Sequence, residues 1–435
     1  MPAPTPGPFG RFFLLPALAL AGACTGGGGG SFGIASDPPG LATIRTRYSY
    51  PVEVRHAGGP VEYELLVAPP GMTVSADGLV EWTPAYADLG SHAVELSATD
   101  GERTAAQDWT LRVNQGLSLG TALSWRGHTE SGSDADFLDH VANHAPWGRV
   151  ISFHTSWRDP GEHDGEIPDL ASLGATLAAD HPFTPAIGFG WADGDGDPDL
   201  TSDSEPANDS WSNQETRDEF RGMVTAFAAL HQPPYLFLGN ETNTYYLRHS
   251  AAEWTAWLSE FAACYDAVKA VSPATMVFTT FQLEHMKGLG LATNGWTDPP
   301  DWTPLDDHVA SGRIDAVGFT TYPYFEHSTP GAIPAAYYDE IASHWSGPVV
   351  FTELGWLAAP HFPYPGGEID QADFVAVFFD RTRDLGLEYA DWLFLHDWDG
   401  QAATPAFADV GLRDNLATLI RLADAAWRAE VALRE

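Results

Sequence analysis

The chain has 435 residues, of which 44% are hydrophobic and 12% aromatic, enough to build a large buried core over two or three domains. This composition excludes a chain that is disordered throughout. Lys and Arg number 21 against 59 Asp and Glu, and the formal net charge of −38 disfavours nucleic acids and anionic membrane surfaces as partners and favours a neutral or cationic substrate.

The N-terminal residues have the features of an export signal. Arg11 precedes an apolar run at residues 12–21, which is too short to span a membrane as a helix and has the length of a signal-peptide core. Cys24 and a glycine-rich tract follow, and this order resembles a bacterial lipoprotein signal, in which the cysteine carries the lipid. We predict a signal peptide at residues 1–23, lipidation at Cys24, a tether at residues 24–33 and a lipid-anchored protein at the bacterial outer membrane or cell surface. Secretion after plain cleavage is the alternative.

Cys264 is the only cysteine besides Cys24, and it lies in a segment with helical periodicity. If Cys24 carries lipid, Cys264 has no partner for a disulfide bond. We therefore expect Cys264 to be a small buried hydrophobic residue, and we expect the stability of the chain to come from packing.

Residues 34–115 alternate apolar and polar side chains in short runs, which are separated by turn signals such as Asp77-Gly78. This pattern predicts a small all-β sandwich. The stretch at residues 70–101 resembles Ig-like modules related to cadherin-like repeats, and the resemblance implies a spacer or adhesion role. No group of residues in this segment has the pattern of a catalytic site.

After residue 115 the pattern changes to strand, loop and helix, repeated to the C-terminus. Eight strands that alternate with helices have the size and order of a (β/α)8 barrel, which we predict for residues 116–435. The alternative, a doubly wound open sheet, normally has a glycine-rich phosphate turn after its first strand, and residues 118–125 contain none. The predicted strands are residues 118–124, 149–153, 184–189, 235–238, 275–280, 314–319, 348–351 and 392–395. The predicted helices include residues 218–230, 251–271, 370–385 and 412–431.

A carboxylate follows two of these apolar strands. Strand four ends before Asn240-Glu241, and strand seven continues into Glu353. The active site of such a barrel lies at the C-terminal ends of the strands, so Glu241 and Glu353 would face each other across the barrel mouth. A surface loop and glycosylation of Asn240-Glu241-Thr242 are the alternatives for the first carboxylate.

Gly-Asn-Glu at the end of strand four, followed on strand seven by Thr-Glu-Leu-Gly-Trp, resembles the clan A glycoside hydrolases. These are retaining β-glycosidases on (β/α)8 barrels, and residues 117–435 look most like the endo-acting β-glucanase and β-galactanase members. The resemblance implies that Glu241 is the acid/base, Glu353 the nucleophile and Asn240 a ligand of the substrate 2-hydroxyl. Retention needs two carboxyl groups about 5 Å apart, one protonated and one ionised. Burial and mutual repulsion would raise the pKa of the protonated one.

Aromatic and histidine side chains follow most of the other predicted strands, and together they favour a cleft for sugar rings, whose apolar faces stack on aromatic side chains. By the same resemblance, Tyr322 or its alternative Tyr324 hydrogen-bonds the nucleophile, and Trp398 stacks under the sugar. His154 ends strand two, near the place where many clan A members have an arginine. Packing under a loop is the alternative for each residue. The predicted substrate-binding residues, besides Asn240, are Trp125, His154, Trp191, Tyr322, Tyr324, Trp356 and Trp398.

The loop after strand three is long and acidic. Its Asp-x-Asp spacing at Asp193–Asp199 is typical of calcium loops, but Pro198 stands where an EF-hand needs glycine and Ser204 where it needs glutamate. We therefore expect neither a cofactor nor a metal, with calcium in this loop as the alternative.

Three functions are compatible with these patterns. The first is retaining hydrolysis of a polysaccharide or oligosaccharide by a monomer that contacts membranes only through its lipid anchor and does not bind nucleic acid. The second is a surface lipoprotein that binds glycans without cleaving them, which the presence of both glutamates argues against. The third is a metal-dependent hydrolase, for which His154 and His396 are too few ligands.

Overall fold

The computed structural model describes residues 31–127, 133–156, 169–191, 210–398 and 404–435. The predicted signal peptide, Cys24 and the loop at Asp193–Asp199 lie outside these residues. Contacts within the chain define a smaller unit, built from the N-terminal residues to Pro39, Ser49–Glu81 and Ala93–Thr110, and a larger unit that holds the rest. Among the described residues, no helix combines the length and the apolar character needed to cross a membrane.

The N-terminal region is all-β, in small sheets. In the smaller unit, Glu62 pairs with Thr99 and Thr73 with Glu81, in both cases antiparallel. Alternate residues of one long strand, Val94, Leu96 and Ala98, are buried, as the period of two requires. The Ig-like assignment and the domain limits stay predictions. The strands are β1 (Gly33–Ile34), β2 (Leu41–Thr43), β3 (Tyr48–Pro51), β4 (Val54–Arg55), β5 (Glu62–Val67), β6 (Thr73–Val74), β7 (Leu79–Trp82), β8 (Gly90–Thr99) and β9 (Thr104–Asn114).

The larger unit contains a (β/α)8-like parallel barrel, as predicted, and not the doubly wound open sheet. Its strands are β10 (Ser118–Ala122), β11 (Val150–Ser156), β12 (Thr184–Gly190), β13 (Tyr235–Leu238), β14 (Met276–Phe278), β15 (Thr280–Gln282), β16 (Val317–Thr321), β17 (Val349–Leu354) and β18 (Leu387–Trp392). Their order is β14-β13-β12-β11-β10-β18-β17-β16-β15, and the two ends of this order adjoin along the chain. Strand five of the barrel is therefore broken at Thr279: β14 pairs with strand four, and β15 pairs with strand six.

Helices follow most of the barrel strands. Side-chain caps fix the starts of the two longest helices: Asn213 accepts a hydrogen bond from the Glu215 amide, and Ser250 accepts one from the Glu253 amide. The helices are α1 (Asp134–Ala142), α2 (Asp169–Leu177), α3 (Gln214–His231), α4 (Thr242–Arg248), α5 (Ala251–Val271), α6 (Leu283–Met286), α7 (Leu291–Asn294), α8 (Thr303–Ser311), α9 (Ile341–His344), α10 (Glu368–Arg381) and α11 (Leu422–Arg434). Cys264 is buried in α5 and is free, as expected.

Two predicted elements differ from the structure near the C-terminus. Strand eight is Leu387–Trp392, whereas we predicted residues 392–395, and the closing helix begins at Leu422 rather than at residue 412. The physical reason is a backbone pairing beyond the barrel: the Leu412 amide donates to the Phe394 carbonyl at 3.1 Å, and the Arg413 amide donates to the Leu395 carbonyl at 2.9 Å. These bonds tie the start of the second run to the end of the first, and residues 412–421 form turns and bends although their spacing is helical.

Candidate active site

A turn in left-handed conformation ends strand four. Gly239 has φ 78°, and a β-carbon there would lie 2.5 Å from Thr242 Cγ2 and 2.7 Å from Trp191 Nε1, so this position requires glycine. Glu241 has φ 52°, which is uncommon for a residue with a side chain. Its amide donates to Thr280 Oγ1 at 2.9 Å. The tertiary structure therefore holds Glu241 in a conformation that its sequence alone does not favour.

Glu353 lies at the C-terminal end of strand seven, and its side chain is 12% exposed. Tyr322 donates its hydroxyl proton to Oε2, and Asn240 Nδ2 donates to Oε1 at 3.2 Å. His154 Nδ1 lies 3.3 Å from Oε1. Both oxygens of this carboxylate are therefore held in place by neighbouring side chains.

Thr320 connects the two glutamates. Its hydroxyl donates to Glu241 Oε1 at 2.6 Å, and its backbone is the register partner of Glu353 in the pairing of strands six and seven. Burial, and after it the negative charge of Glu353, raise the pKa of Glu241 to about 8. At neutral pH Glu241 is thus mainly protonated, as a proton donor must be.

Thr280 connects the backbone of Glu241 with the side chain of Asn240, which contacts Glu353. It accepts from the Glu241 amide, and its hydroxyl donates to Asn240 Oδ1 at 2.6 Å. Because Asn240 Oδ1 is an acceptor in that bond, its Nδ2 is the atom that faces Glu353. The orientation of the Asn240 amide is therefore set by Thr280.

Glu284 is a third carboxylate at the site, and it is fully buried. It accepts hydrogen bonds from the Tyr322 amide at 3.0 Å, Thr321 Oγ1 at 2.7 Å and the Tyr337 hydroxyl at 2.9 Å. Burial raises its pKa, although these donors oppose the shift. Its contacts hold the backbone of Tyr322 in place, and its charge also contributes to the raised pKa of Glu241.

A cavity of about 490 Å³ lies beside Glu353, within the size range of small-molecule sites. Most of its described lining is apolar or aromatic, and no Lys or Arg is among those residues. Trp398, which is 36% exposed, stacks on Phe394 with ring centroids 5.5 Å apart. The lining residues are Ala122, Leu123, Trp125, His154, Asn240, Tyr322, Glu353, Leu393, Phe394, Trp398 and Phe407.

The structure places six of the predicted site residues in this lining. They are Asn240, Glu353, Trp125, His154, Tyr322 and Trp398. Of the two tyrosines considered as partners of the nucleophile, Tyr322 makes the bond to Glu353, and Tyr324 instead donates to the Ala406 carbonyl at 2.7 Å.

Three predicted sugar-binding residues pack in the core and are not part of the described cavity wall. Trp191 is buried against Trp257, with ring centroids 4.6 Å apart, and Trp356 is buried against Phe374 at 5.5 Å. Tyr324 is buried as well. The structure therefore gives packing, not sugar contact, as the role of Trp191, Trp356 and Tyr324. The position of a residue near a strand end indicates its height along the barrel axis. It does not indicate whether the side chain points into the barrel mouth or outward beneath the helices.

Several residues at the site were not among the sequence predictions, and they include Glu284, Thr280, Thr320, Phe394 and Phe407. Thr280 follows the break in strand five and Thr320 lies near the end of strand six, but a threonine in an apolar run gives no sign of the hydrogen bonds that its hydroxyl makes. Phe394 and Phe407 lie in the strand-eight region, where the strand was misplaced. Correct placement of strand eight would have indicated Phe394.

No group of three or more His, Cys, Asp or Glu side chains within the described ranges is arranged to hold a metal ion. The acidic loop at Asp193–Asp199 lies outside those ranges, so the calcium alternative is not addressed by this observation.

The fold is similar to that of solved glycoside hydrolases. A family 39 glycoside hydrolase from the gut symbiont Bacteroides cellulosilyticus WH2 has 16% identity and a TM-score of 0.50, with 92% of this chain and 82% of that chain covered. The GH53 catalytic domain of Ignisphaera aggregans has 17% identity and a TM-score of 0.51, with 73% and 96% covered. An exo-β-1,4-mannosidase from Opitutaceae bacterium strain TAV5 has 15% identity and a TM-score of 0.52, with 74% and 60% covered.

The similarity to these enzymes supports a (β/α)8-like barrel fold. No protein family model and no curated protein matches the chain. At these identities the similarity concerns the fold, so the chemistry of the barrel has to be inferred from its own residues.

Proposed function

We propose that this protein is a retaining β-glycosidase that cleaves within neutral polysaccharides. The observation that carries the proposal is the joined pair at the barrel mouth: Glu241 with a raised pKa, and Glu353 held by Tyr322 and Asn240. Both stand at the C-terminal ends of strands, where barrel enzymes have their active sites, and Glu353 borders the cavity.

In the first step, Glu353 attacks the anomeric carbon, and the bond from that carbon to the glycosidic oxygen breaks. Glu241 gives its proton to the leaving oxygen, so the departing chain leaves as an alcohol and a covalent glycosyl-enzyme remains. The hydrogen bond from Thr320 occupies Glu241 Oε1, so the proton is carried on Oε2. Tyr322 and Asn240 hold the attacking carboxylate in position.

In the second step, Glu241 is ionised and removes a proton from water. The oxygen of that water attacks the anomeric carbon, the bond to Glu353 breaks, and both glutamates return to their starting states. Two inversions at one carbon give a product with the anomeric configuration of the substrate.

The surroundings of the site favour an uncharged sugar. The described wall of the cavity has no Lys or Arg side chain, and Glu241, Glu353 and Glu284 are all acidic. A sugar carboxylate would therefore meet acidic groups with no Lys or Arg in the described wall to compensate, whereas aromatic side chains such as Trp125 and Trp398 can stack on a neutral pyranose.

The test is a panel of neutral β-linked polysaccharides and aryl β-glycosides of glucose, galactose, mannose and xylose, each paired with a uronic acid analogue where one exists. We expect release of sugars from at least one neutral substrate, with a β-configured first product in a proton NMR time course. An α-configured first product would contradict the retaining mechanism. Glycan binding without hydrolysis across the panel would favour the glycan-binding alternative.

A further prediction concerns Thr280, which sets the orientation of Asn240. Thr280→Val keeps the shape of the side chain but leaves the Glu241 amide and Asn240 Oδ1 without their partner. We expect kcat/KM to fall roughly 10- to 100-fold, since buried groups left unpaired cost about 1–3 kcal/mol. Thr280→Ser retains the hydroxyl and should keep most of the activity. Equal losses in both variants, measured by steady-state kinetics, would show that packing and not the hydroxyl matters.

A further inference from the structure

Phe362 is an exposed aromatic residue in the loop that follows strand seven. It is 97% exposed, the highest value among the large hydrophobic side chains described, compared with 72% for Leu230. An aromatic ring left in water gains nothing for the stability of the fold. The ring is therefore available to a ligand, and its surroundings decide whether it has one.

The turn that carries Phe362 is held on both sides. The His361 amide donates to the Tyr364 carbonyl at 3.1 Å, and the Tyr364 amide donates to the His361 carbonyl at 2.7 Å. Beyond the turn, His361 Nε2 lies 2.5 Å from Asp409 Oδ2, and the Tyr364 hydroxyl donates to Asn294 Oδ1 at 2.9 Å. The backbone that carries the ring of Phe362 is therefore fixed at His361 on one side and at Tyr364 on the other.

The base of this turn is connected to the wall of the cavity through packed aromatic rings. Tyr364 packs on Phe325 with ring centroids 5.6 Å apart, and Phe325 packs on Tyr322 at 5.4 Å and on Phe407 at 6.5 Å. Tyr322 and Phe407 both line the cavity. Two ring contacts therefore connect the base of the Phe362 turn to the site beside Glu353.

We propose that Phe362 is an outlying sugar-binding platform that stacks on one pyranose unit of a neutral polysaccharide while another unit occupies the cavity. This inference rests on the proposed function. A phenyl ring offers a flat apolar face and no hydrogen bond, so it can stack on the C–H face of a sugar. Such stacking adds affinity for a long chain but does not discriminate between glycosidic linkages. The net charge of −38 argues against an anionic membrane surface as the occupant.

The experiment compares two substrates of the same sugar and linkage: the polysaccharide that the panel identifies and the shortest aryl glycoside that the protein cleaves. For Phe362→Ala we expect the ratio of kcat/KM on the polymer to kcat/KM on the aryl glycoside to fall roughly three- to tenfold, the factor that one stacked ring contributes. Phe362→Trp keeps a flat ring and should restore the ratio.

Leu230→Ala serves as the matched control, because Leu230 is an exposed hydrophobic residue at the end of α3, outside the described wall of the cavity. It should leave both rates unchanged. An unchanged ratio for Phe362→Ala, or an equal loss on both substrates, would overturn the platform and leave the proposed function intact. If the unmodified protein cleaves no substrate, it is the proposed function that fails. A shift to monomer on Phe362→Ala in sedimentation, with no change in the ratio, would identify a second copy of the chain as the occupant and also overturn the platform.

Discussion

Replacement of Glu353 by Ala should lower kcat/KM for every cleaved glycoside by roughly 10⁴-fold or more, because it removes the group that forms the covalent intermediate. Rescue of the variant by an added nucleophile, which can occupy the space left beside Tyr322 and Asn240, is a sharper test than the loss of activity. With an activated aryl β-glycoside, added azide can enter that space, attack the anomeric carbon and displace the aryl oxide. The product should be the α-glycosyl azide, formed by a single inversion, and NMR of the product identifies it.

Glu388→Gln provides a matched control for this variant. Glu388 also accepts a hydrogen bond from a tyrosine, Tyr235, at 2.8 Å, but it stands at the start of strand eight, at the opposite end of the barrel. It should retain near-normal activity. If Glu353→Ala keeps substantial activity without azide, or if azide yields the β-product, Glu353 is not the nucleophile.

Replacement of Glu241 by Gln should reduce hydrolysis of unactivated glycosides by roughly 10²- to 10⁴-fold, the usual contribution of a positioned proton donor. Aryl glycosides with good leaving groups need no proton in the first step, so the rate of that step should fall much less for them. With these substrates the variant should accumulate as glycosyl-enzyme. In the unmodified protein, activity should fall as pH rises through about 8, because Glu241 loses its proton there. In Glu241→Gln the rate of the first step should no longer fall as pH rises through about 8.

The same pKa has a consequence for stability. The folded-state pKa of Glu241, about 8, lies above its ordinary value of 4.5, so folding takes up a proton between these values and stability declines as pH rises through that window. Glu241→Gln lacks this dependence. Its melting temperature, relative to that of the unmodified protein, should therefore increase from pH 5 to pH 8, and a constant difference would contradict the raised pKa.

The barrel and the two glutamates were predictable from the sequence because both depend on local patterns. Apolar runs of strand length, each followed by polar residues, indicate where a buried parallel strand ends, and the strand order then places Glu241 and Glu353 at one mouth. The bond from Tyr322 to Glu353 was anticipated by resemblance, and the structure contains it.

The sequence could not predict in which direction a side chain points or which distant side chains hydrogen-bond to each other. Trp191 and Trp398 both follow a strand, yet one packs against Trp257 in the core and the other borders the cavity. Only the register of the strands and the packing of the helices decide this. The contacts of Thr280 and Thr320 likewise arise from segments far apart in the chain.

At the break at Thr279, strand five changes its pairing partner from strand four to strand six, and Thr280, the first residue after the break, supports Glu241. The register of strand seven also shifts against both of its neighbours close to Glu353. Each reactive group thus sits at an irregularity in an otherwise regular sheet. Irregularities of this kind redirect the side chains beside them, so the positions of the two carboxyl groups depend on departures from regular pairing and not on the regular barrel alone.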